Sequence, residues 1–385
     1  MADVLRLIDS RVPRLDSENI SSLAAAGRVL ASPVRSAVNV PNFAKSAMDG
    51  FALRSDDAGL RRVVGESWPG RAFTGEVQSG EAVRITTGAA IPAGADSVVP
   101  LELAQESAGV VHLVAEAVRG KHIVIVGEDV AAGADALPAG RLLRPQDLGL
   151  LAAIGVVSVE VVNRPRVAII ATGNELLPPG SVPVGTEVVD SNSPMLEALI
   201  TRDGGLAVAM GRVPDDRIAL RDEIRESDAD VVLISGGSSV GSEDHTAAAV
   251  AGLGELAVHG IAMKPGAPAG VGFLGNQVVF LLPGNPGACL AAYDLFAGRT
   301  IRILGGRNRE MPYRIASAVL TTEVASRIGC TDVVRVKLVA GRATPIAGGP
   351  ARLGSAVEAD GFLLVPHDVE NLSAGETVQV FEFDA

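Results

Sequence analysis

Three strand-like hydrophobic runs in the second half of the chain each end in a polar, glycine-rich turn. They are Val167–Ile170 before Ala171-Thr172-Gly173-Asn174-Glu175, Val231–Ile234 before Ser235-Gly236-Gly237-Ser238-Ser239-Val240-Gly241, and Val278–Leu282 before Pro283-Gly284-Asn285-Pro286-Gly287. A helix-like stretch follows each turn, which predicts a parallel sheet with the three turns at its carboxyl edge. Ligands bind at that edge in open α/β sheets. The free N–H groups at a helix N-terminus favour a phosphate or another oxyanion there.

Length and composition narrow the class of protein. A chain of 385 residues predicts more than one domain, and its net charge of −12 argues against non-specific binding to nucleic acid or to an acidic membrane. The two cysteines have no ligand-like spacing, so a disulfide framework or zinc site is not expected and a reducing cytoplasm fits. The charged first fifteen residues do not read as a signal peptide, and the longest uncharged stretch, 265–293, contains six Gly and four Pro, so we expect no membrane span.

The hydrophobic pattern changes several times along the chain. Residues 1–40 and 141–164 predict an N-terminal helical and linker domain, with one helix around Ile20–Ala31 and a second from Pro145 to Gly155. Short Val-rich runs between Gly and Pro predict an inserted β module over 41–140. Strands alternate with helices at Ser193–Asp203, Asp215–Ser227 and Asp244–Leu253 within an α/β domain over 165–307, and short strands return over 308–385. The expected fold is α/β plus all-β modules: a multidomain chain with a central doubly wound, mostly parallel sheet, an inserted β module and a small C-terminal β domain.

The Ser235–Gly241 turn is the strongest single signal for a binding site. Its glycines permit close approach of a ligand to the backbone, and Ser238 and Ser239 add hydroxyl groups. A capped helix after a tight strand exit is the structural alternative. The turn also satisfies G-x-S-x-G with Ser239 as nucleophile, which makes a serine hydrolase with His367 as base a rival hypothesis.

Three carboxylates stand beside strand ends or helix starts in this part of the chain, namely Glu175, Asp190 and Asp244. Carboxylates near an anion-binding turn make sense if Mg²⁺ lies between them and a phosphate, because Mg²⁺ prefers oxygen ligands. Helix capping by Asp190 or Asp244 is an equal alternative. Lys264, followed by Pro265 and Gly266, is the only Lys or Arg between Arg225 and Arg299, and it is a candidate contact for an anion.

Collinear motifs from Pro41 to the C-terminus resemble the molybdopterin molybdenumtransferase family, which includes MoeA and the gephyrin E domain. The motifs are Pro41-Asn42-Phe43, Ser46-Ala47-Met48-Asp49-Gly50-Phe51-Ala52, Ile85-Thr86-Thr87-Gly88-Ala89, Pro92-Ala93-Gly94-Ala95-Asp96, Gly127-Glu128-Asp129, Thr172-Gly173-Asn174-Glu175-Leu176, Asp190-Ser191-Asn192-Ser193, the Ser-Gly-Gly turn with Asp244, Met263-Lys264-Pro265-Gly266 and Leu282-Pro283-Gly284-Asn285-Pro286.

The resemblance implies a reaction in molybdenum cofactor biosynthesis. An adenylylated molybdopterin is hydrolysed with Mg²⁺, AMP leaves, and molybdate is inserted. The resemblance also implies a cytoplasmic homodimer in which the β module of one subunit meets the α/β domain of the other, with other proteins of this pathway as further partners. Binding of nucleic acid or of a membrane is not expected.

The resemblance also assigns residues to roles. The implied catalytic residues are Asp49, Asp129, Glu175 and Asp244, and the implied metal ligands are Glu175, Asp190 and Asp244. The implied substrate-binding residues are Thr87, Thr172, Gly173, Asp190, Ser191, Asn192, Ser235, Gly236, Gly237, Ser238, Ser239, Gly241, Lys264, Pro265, Pro283, Gly284, Asn285 and Pro286.

Departures from the family pattern fall on groups that would face the oxyanion. Ala267 stands where the family usually has a second Lys, and Gly287 and Ala288 follow the Pro-Gly-Asn-Pro turn where a Ser is common. His122-Ile123-Val124 replaces Asn-Ile-Arg, and Asn174 replaces Asp. Loss of two charged hydrogen bonds would weaken oxyanion binding roughly 10²- to 10⁴-fold. A catalytically weakened, dimeric pterin-binding or scaffold relative is therefore an alternative. The sequence does not distinguish among molybdate, tungstate and the loss of oxyanion insertion.

Overall fold

The computed structural model describes residues 1–237, 245–346 and 352–383. Their contacts divide the chain into two compact units. The first unit comprises Met1–Glu18, Gly27–Val29 and Val162–Ala385, and the second comprises Asn19–Ala26 and Leu30–Val161.

The described α-helices are α1 (Ala2–Arg11), α2 (Pro145–Ala153), α3 (Asn192–Arg202), α4 (Arg217–Glu226), α5 (His245–Ala251), α6 (Pro286–Ala292), α7 (Gly298–Leu304) and α8 (Leu353–Glu358). The described strands are β1 (Ser17–Ser21), β2 (Val34–Arg35), β3 (Lys45–Ser46), β4 (Gly50–Leu53), β5 (Arg61–Ser67), β6 (Glu81–Ile85), β7 (Ser97–Pro100), β8 (Ala104–Ser107), β9 (Val110–Leu113), β10 (Ile123–Val124), β11 (Asp135–Leu137), β12 (Ser158–Val162), β13 (Arg166–Thr172), β14 (Leu176–Leu177), β15 (Val188–Val189), β16 (Leu206–Val213), β17 (Val231–Ser235), β18 (Glu255–His259), β19 (Met263–Lys264), β20 (Gly270–Leu274), β21 (Gln277–Leu282), β22 (Arg314–Leu320), β23 (Val324–Ala325), β24 (Thr331–Val339), β25 (Arg342–Pro345), β26 (Gly361–Val365), β27 (Asn371–Leu372) and β28 (Thr377–Glu382).

A six-stranded sheet forms the centre of the first unit, in the order β16-β13-β17-β21-β20-β18. The first four strands are parallel, and β20 and β18 continue antiparallel. The three hydrophobic runs recognised in the sequence are the adjacent strands β13, β17 and β21, so the prediction of a mostly parallel sheet is confirmed. Because β17 is buried along its whole length, its sequence is continuously apolar instead of alternating.

The two faces of this sheet are covered by separate cores. Ile169, Leu233 and Phe280 belong to the core that includes α1, α3 and α6, whereas their neighbours Ala168, Val232 and Val279 belong to the core that includes α4 and α5. Successive strand residues point to opposite faces. The sheet is therefore doubly wound, and the three glycine-rich turns meet at one edge.

The C-terminal part of the first unit is a small β domain, as expected. Its sheet has the order β19-β24-β25-β22-β28-β26, and an additional pairing of β26 with β24 closes a ring. β19 pairs parallel with β24, and Lys264 lies opposite Asp332. The C-terminal sheet therefore fixes the position of Lys264.

The second unit contains a six-stranded sheet with the order β7-β4-β6-β5-β9-β8 and the two-stranded ladders β10-β3 and β11-β2. The prediction of short strands over 41–140 is confirmed, because β3 to β11 lie within this range. α2 also occurs where Pro145 and Gly155 bracket a helix.

The helix predicted around Ile20–Ala31 is wrong. Ser17–Ser21 is a strand that pairs with β12, and Ser22–Ala24 is a single 3₁₀ turn. Gly27 has φ of +74°, a left-handed conformation that interrupts a helix. The apolar residues share no helix face, since Leu23 is 81% exposed and Leu30 is fully buried. The N-terminal helix is α1 instead, and it buries Val4 and Ile8.

Within residues 1–237, 245–346 and 352–383, no helix combines the length and apolar character needed to cross a membrane.

Candidate functional site

The three glycine-rich turns pack against one another at the carboxyl edge of the central sheet. Gly236 follows β17 with φ of +100°, and a Cβ atom there would collide with the carbonyl oxygen of Thr172 at the end of β13. A Cβ on Gly284, after β21, would stand 3.3 Å from the Cα of Gly236. Only glycine permits this approach at position 236. The structure thus brings together the turns that the sequence places at one edge.

Asn192, at the start of α3, links two of these turns. Its Nδ2 donates to the Ser235 hydroxyl oxygen at 2.7 Å and to the Gly284 carbonyl at 2.8 Å. The residue is 6% exposed, and its Oδ1 is buried with no hydrogen-bond partner among the described residues. A buried acceptor without a donor is unfavourable. Asn192 therefore joins the turn after β17 to the turn after β21.

Asp190 has the contacts of a helix cap. Its carboxylate accepts from the backbone N–H groups of Asn192 and Ser193 at 3.1 and 3.0 Å, and from the Ser193 hydroxyl at 2.5 Å. Asp190 is buried, and Ser191 lies between it and α3. Three donors already occupy an acceptor that has about four lone-pair sites. Asp190 can therefore give a metal ion one bond at most without losing a capping contact.

Glu175 is exposed, and it lies at the opposite end of the β14–β15 ladder from Asp190. β14 pairs parallel with β15, so that Glu175 precedes the ladder and Asp190 follows it. An ideal Cβ on Gly173 would lie 2.8 Å from a Glu175 carboxylate oxygen, so this side chain turns back toward the end of β13. No group of three or more His, Cys, Asp or Glu side chains suited to a metal occurs in the described part of the chain.

Four predicted site residues, Ser238, Ser239, Gly241 and Asp244, lie outside the described residues. Of the third turn, Pro283 is buried and Pro286 opens α6. The Asn285 side chain accepts from the Gly287 N–H at 3.2 Å. These contacts explain the order Asn-Pro-Gly as a helix cap followed by a proline in the first turn.

Asp215 lies beside the predicted site residues, and the sequence reasoning missed it. The Thr172 hydroxyl donates to its carboxylate at 2.8 Å. A Cβ on Gly237 would lie 3.6 Å from the same oxygen, which places Asp215 beside the Ser-Gly-Gly turn. A signal was present, because Pro214-Asp215 follows a strand as a turn dipeptide at the same sheet edge.

Lys264 and Pro265 line two cavities. The first, of about 320 Å³, is also lined by Arg335 and Ser355 and by the acidic residues Glu323 and Asp332. The second, of about 550 Å³, includes Ala267, Ala288, Pro283, Asn285 and Arg327. Lys264 is exposed.

Arg335, in β24, is a second residue that the sequence did not indicate. Its guanidinium donates to the Ser355 hydroxyl at 2.6 Å and to the Gly287 carbonyl at 3.1 Å. Burial lowers the pKa of Arg335 from its ordinary value. It thereby connects the Pro-Gly-Asn-Pro turn with α8, and no local motif marks a contact between such distant segments.

Asp49 and Thr87 form a pair in the second unit. One Asp49 carboxylate oxygen accepts from the Thr87 backbone N–H at 2.7 Å and from its hydroxyl at 2.8 Å. The backbone hydrogen bond from Thr87 and then its hydroxyl lower the pKa of Asp49. Both residues are exposed, as is Asp129, whose N–H donates to the Val40 carbonyl at 2.9 Å.

Comparison with known proteins accounts for almost the whole chain. The family models described as the MoeA N-terminal region (domains I and II), a probable molybdopterin binding domain and the MoeA C-terminal region (domain IV) match residues 1–155, 168–302 and 317–383. Molybdopterin molybdenumtransferase 2 of Mycobacterium tuberculosis is 36% identical over 379 residues, which cover 93% of each chain. The chain belongs to the molybdopterin molybdenumtransferase family.

Other relatives agree with this membership. Molybdopterin molybdenumtransferase of Haemophilus influenzae is 31% identical over 381 residues, covering 96% of this chain and 94% of its own. A crystal structure of a Pyrococcus horikoshii molybdopterin biosynthesis MoeA protein matches with a TM-score of 0.83 and 33% identity, covering 100% of this chain and 98% of the other. The predicted family, the transferase class and the role in molybdenum cofactor biosynthesis are confirmed. These comparisons favour neither the serine hydrolase nor the scaffold hypothesis.

Proposed function

We propose that this chain inserts molybdate into adenylylated molybdopterin and releases AMP. The relatives carry the name of that transferase. The observation that carries the proposal is that Gly236 packs closely against both Thr172 and Gly284, while Asn192 joins the turns after β17 and β21. Backbone turns this close offer convergent amide and carbonyl groups to a pterin and its phosphates.

The turn residues would orient the pterin nucleotide. Asp215 fixes the Thr172 hydroxyl, and Asn192 fixes the Ser235 hydroxyl and the Gly284 carbonyl. The predicted contributions of Ser238, Ser239 and Gly241 to substrate binding lie outside the described residues, and the amides of Gly284 and Asn285 would offer hydrogen bonds to the same ligand.

Lys264 would contact the oxyanion. It lines both cavities, so it reaches an anion held in either one. A lysine ammonium is a compact charge that suits a small tetrahedral dianion. Its position on β19, paired with β24, keeps it at the junction of the two cavities.

Glu175 is the described carboxylate best suited to act on water or on Mg²⁺. It is exposed, whereas Asp190 is committed to α3, so the described residues do not by themselves complete a metal site. Glu175 and Asp244 would hold Mg²⁺, with Asp190 as a further ligand only through its last lone pair. When bound, Mg²⁺ would neutralise charge on the phosphates.

We further propose a cytoplasmic homodimer. Asp49, Thr87 and Asp129 would then reach the phosphates from the second unit of a partner subunit. The Thr87 N–H and then its hydroxyl donate to Asp49, which lowers the pKa of this carboxyl and fixes its orientation. Another protein of molybdenum cofactor biosynthesis would deliver the pterin.

A turnover assay tests the proposal. The chain is mixed with adenylylated molybdopterin, Mg²⁺ and increasing molybdate, and both AMP and incorporated molybdenum are measured. We expect the wild type to release AMP. We expect the Lys264→Ala variant to need about 10- to 100-fold more molybdate for half-maximal molybdenum incorporation. Lys337→Ala is the matched control, because Lys337 pairs with Asp360 and lines neither cavity. Pterin binding without AMP release would instead support the scaffold hypothesis.

A further inference from the structure

The larger cavity beside Lys264 contains two basic side chains. Arg327, in the turn between β23 and β24, lines it together with Lys264. Neither side chain forms an ion pair or a side-chain hydrogen bond with another residue in the described ranges. Both are exposed, and both are therefore available to a ligand.

The turn that carries Arg327 is anchored on both sides. The Ser326 N–H donates to the Glu370 carbonyl at 2.8 Å, and the Gly329 N–H donates to the His367 carbonyl at 2.6 Å. The Thr331 N–H donates to the Ala262 carbonyl at 3.0 Å, two residues before Lys264. These hydrogen bonds hold the turn next to β19. Arg327 on the turn and Lys264 on β19 therefore line the same cavity.

The thiol of Cys330 lies close enough to both cations for each to affect its pKa. Burial and the neighbouring Asp332 raise the pKa of its thiol, while Arg327 and Lys264 act in the opposite direction. The fields of both cations therefore reach the same sulfur atom. Cys330 also lines the cavity.

The charge of the lining differs between the two cavities. The smaller cavity includes Glu323 and Asp332, which oppose an anion. The described lining of the larger cavity contains Lys264 and Arg327 but no Asp or Glu, and Ala267, Ala288 and several Pro and Gly residues make up much of the rest. Charges interact more strongly beside apolar walls than in bulk water. The larger cavity is therefore the better place for an anion.

We propose that Arg327 binds a tetrahedral oxyanion in this cavity together with Lys264, and supplies the second cation that position 267 lacks. This inference rests on the proposed function, since it names the residue that would complete its oxyanion site. A guanidinium can donate two parallel hydrogen bonds to an oxyanion. The oxyanion is either free molybdate or the phosphate of the nucleotide substrate.

Calorimetry on the full chain tests the inference without turnover. Molybdate, inorganic phosphate and AMP are each titrated into the wild type, Arg327→Ala and Arg342→Ala. Arg342 is an exposed cation of the same β domain that lines neither cavity, so it controls for net charge. We expect Arg327→Ala to weaken binding by about 10- to 100-fold, Arg342→Ala to change it little, and Ala267→Lys to restore part of the loss in the Arg327→Ala background.

The ligand affected identifies the source of the oxyanion. Weaker molybdate binding with unchanged AMP binding indicates the free oxyanion, and the reverse indicates the substrate phosphate. If Arg327→Ala binds all three ligands as the wild type does, or if the wild type binds none, the inference is wrong even where AMP release occurs. If binding depends on Arg327 but adenylylated pterin is never turned over, the proposed function fails and the inference stands.

Discussion

Arg202 and Asp294 form a buried ion pair in the first unit, with Nη2 and Oδ1 2.8 Å apart. Asp294 lies in a π-helical turn between α6 and α7, and its side chain is 3% exposed. The Tyr313 hydroxyl, which comes from the segment just before β22, donates to the same carboxylate at 3.0 Å. Tyr313 also packs edge-on against Phe362 of β26. This pair therefore links the α/β part of the unit with its C-terminal β domain, which carries Arg327 and Arg335.

Removing Asp294 should destabilise the protein strongly. Asp294→Ala leaves the largely buried Arg202 without one of its two carboxylate partners, which costs about 3–5 kcal/mol. The free energy of unfolding in urea measures the effect. Asp228→Ala is the control, because Asp228 is 82% exposed in its pair with Arg166 and should contribute about 0–1 kcal/mol. Equal losses of unfolding free energy in the two variants would show that the buried pair stabilises the protein no more than the exposed pair does.

Gly236→Ala should disrupt the meeting point of the turns. The added methyl group collides with the Thr172 carbonyl, and the φ of +100° adds backbone strain. We expect a lower melting temperature and loss of pterin binding. Gly275→Ala separates the two causes, since Gly275 also has positive φ, +60°, but an added Cβ meets nothing within 4 Å. Similar behaviour of the two variants would mean that strain, not the close packing of turns, is responsible.

Asn192→Ala should uncouple α3 from the strand ends. The change leaves the buried Ser235 hydroxyl and the Gly284 carbonyl without this donor, at a cost of about 1–3 kcal/mol. We expect pterin affinity to fall together with stability in urea. Asn371→Ala removes an exposed amide that donates to Glu323 and should change neither quantity measurably. Full pterin affinity in Asn192→Ala would remove this residue from the proposed site.

The stability of the second unit should depend on Asp147 below neutral pH. Hydrogen bonds from Arg141, then from the Arg144 side chain and backbone, hold the pKa of Asp147 well below its usual range despite burial. A lowered folded-state pKa stabilises the protein above the unfolded pKa, near pH 4, and this stabilisation is lost as the pH falls toward the folded value.

We therefore expect Asp147→Asn to destabilise the protein near neutral pH and the difference from wild type to shrink below about pH 4. Urea unfolding at a series of pH values measures this. Asp228→Asn, at an exposed carboxylate, should show only a small difference throughout. A difference for Asp147→Asn that stays constant down to pH 2 contradicts the assignment.

Local sequence patterns predicted the elements that depend on neighbouring residues. The apolar runs of β13, β17 and β21, each followed by glycine, predicted parallel strands because buried strands and their exits have a local signature. The same reasoning failed at Ile20–Ala31, where spacing resembled a helix. There the pairing of β1 with β12 and the left-handed Gly27 prevailed.

The sequence by itself determined three parallel strands of the central sheet, the glycine-rich turns that follow them and the family to which the motifs point. The tertiary structure alone decided that Asn192 joins two turns, that Asp215 contacts Thr172, and that Arg327 shares a cavity with Lys264. The reason is the range of the interactions. Backbone preference and hydrophobic period act between residues a few positions apart, so a local stretch of sequence shows them. A hydrogen bond or shared cavity between residues 43 to 92 positions apart exists only after the chain has folded.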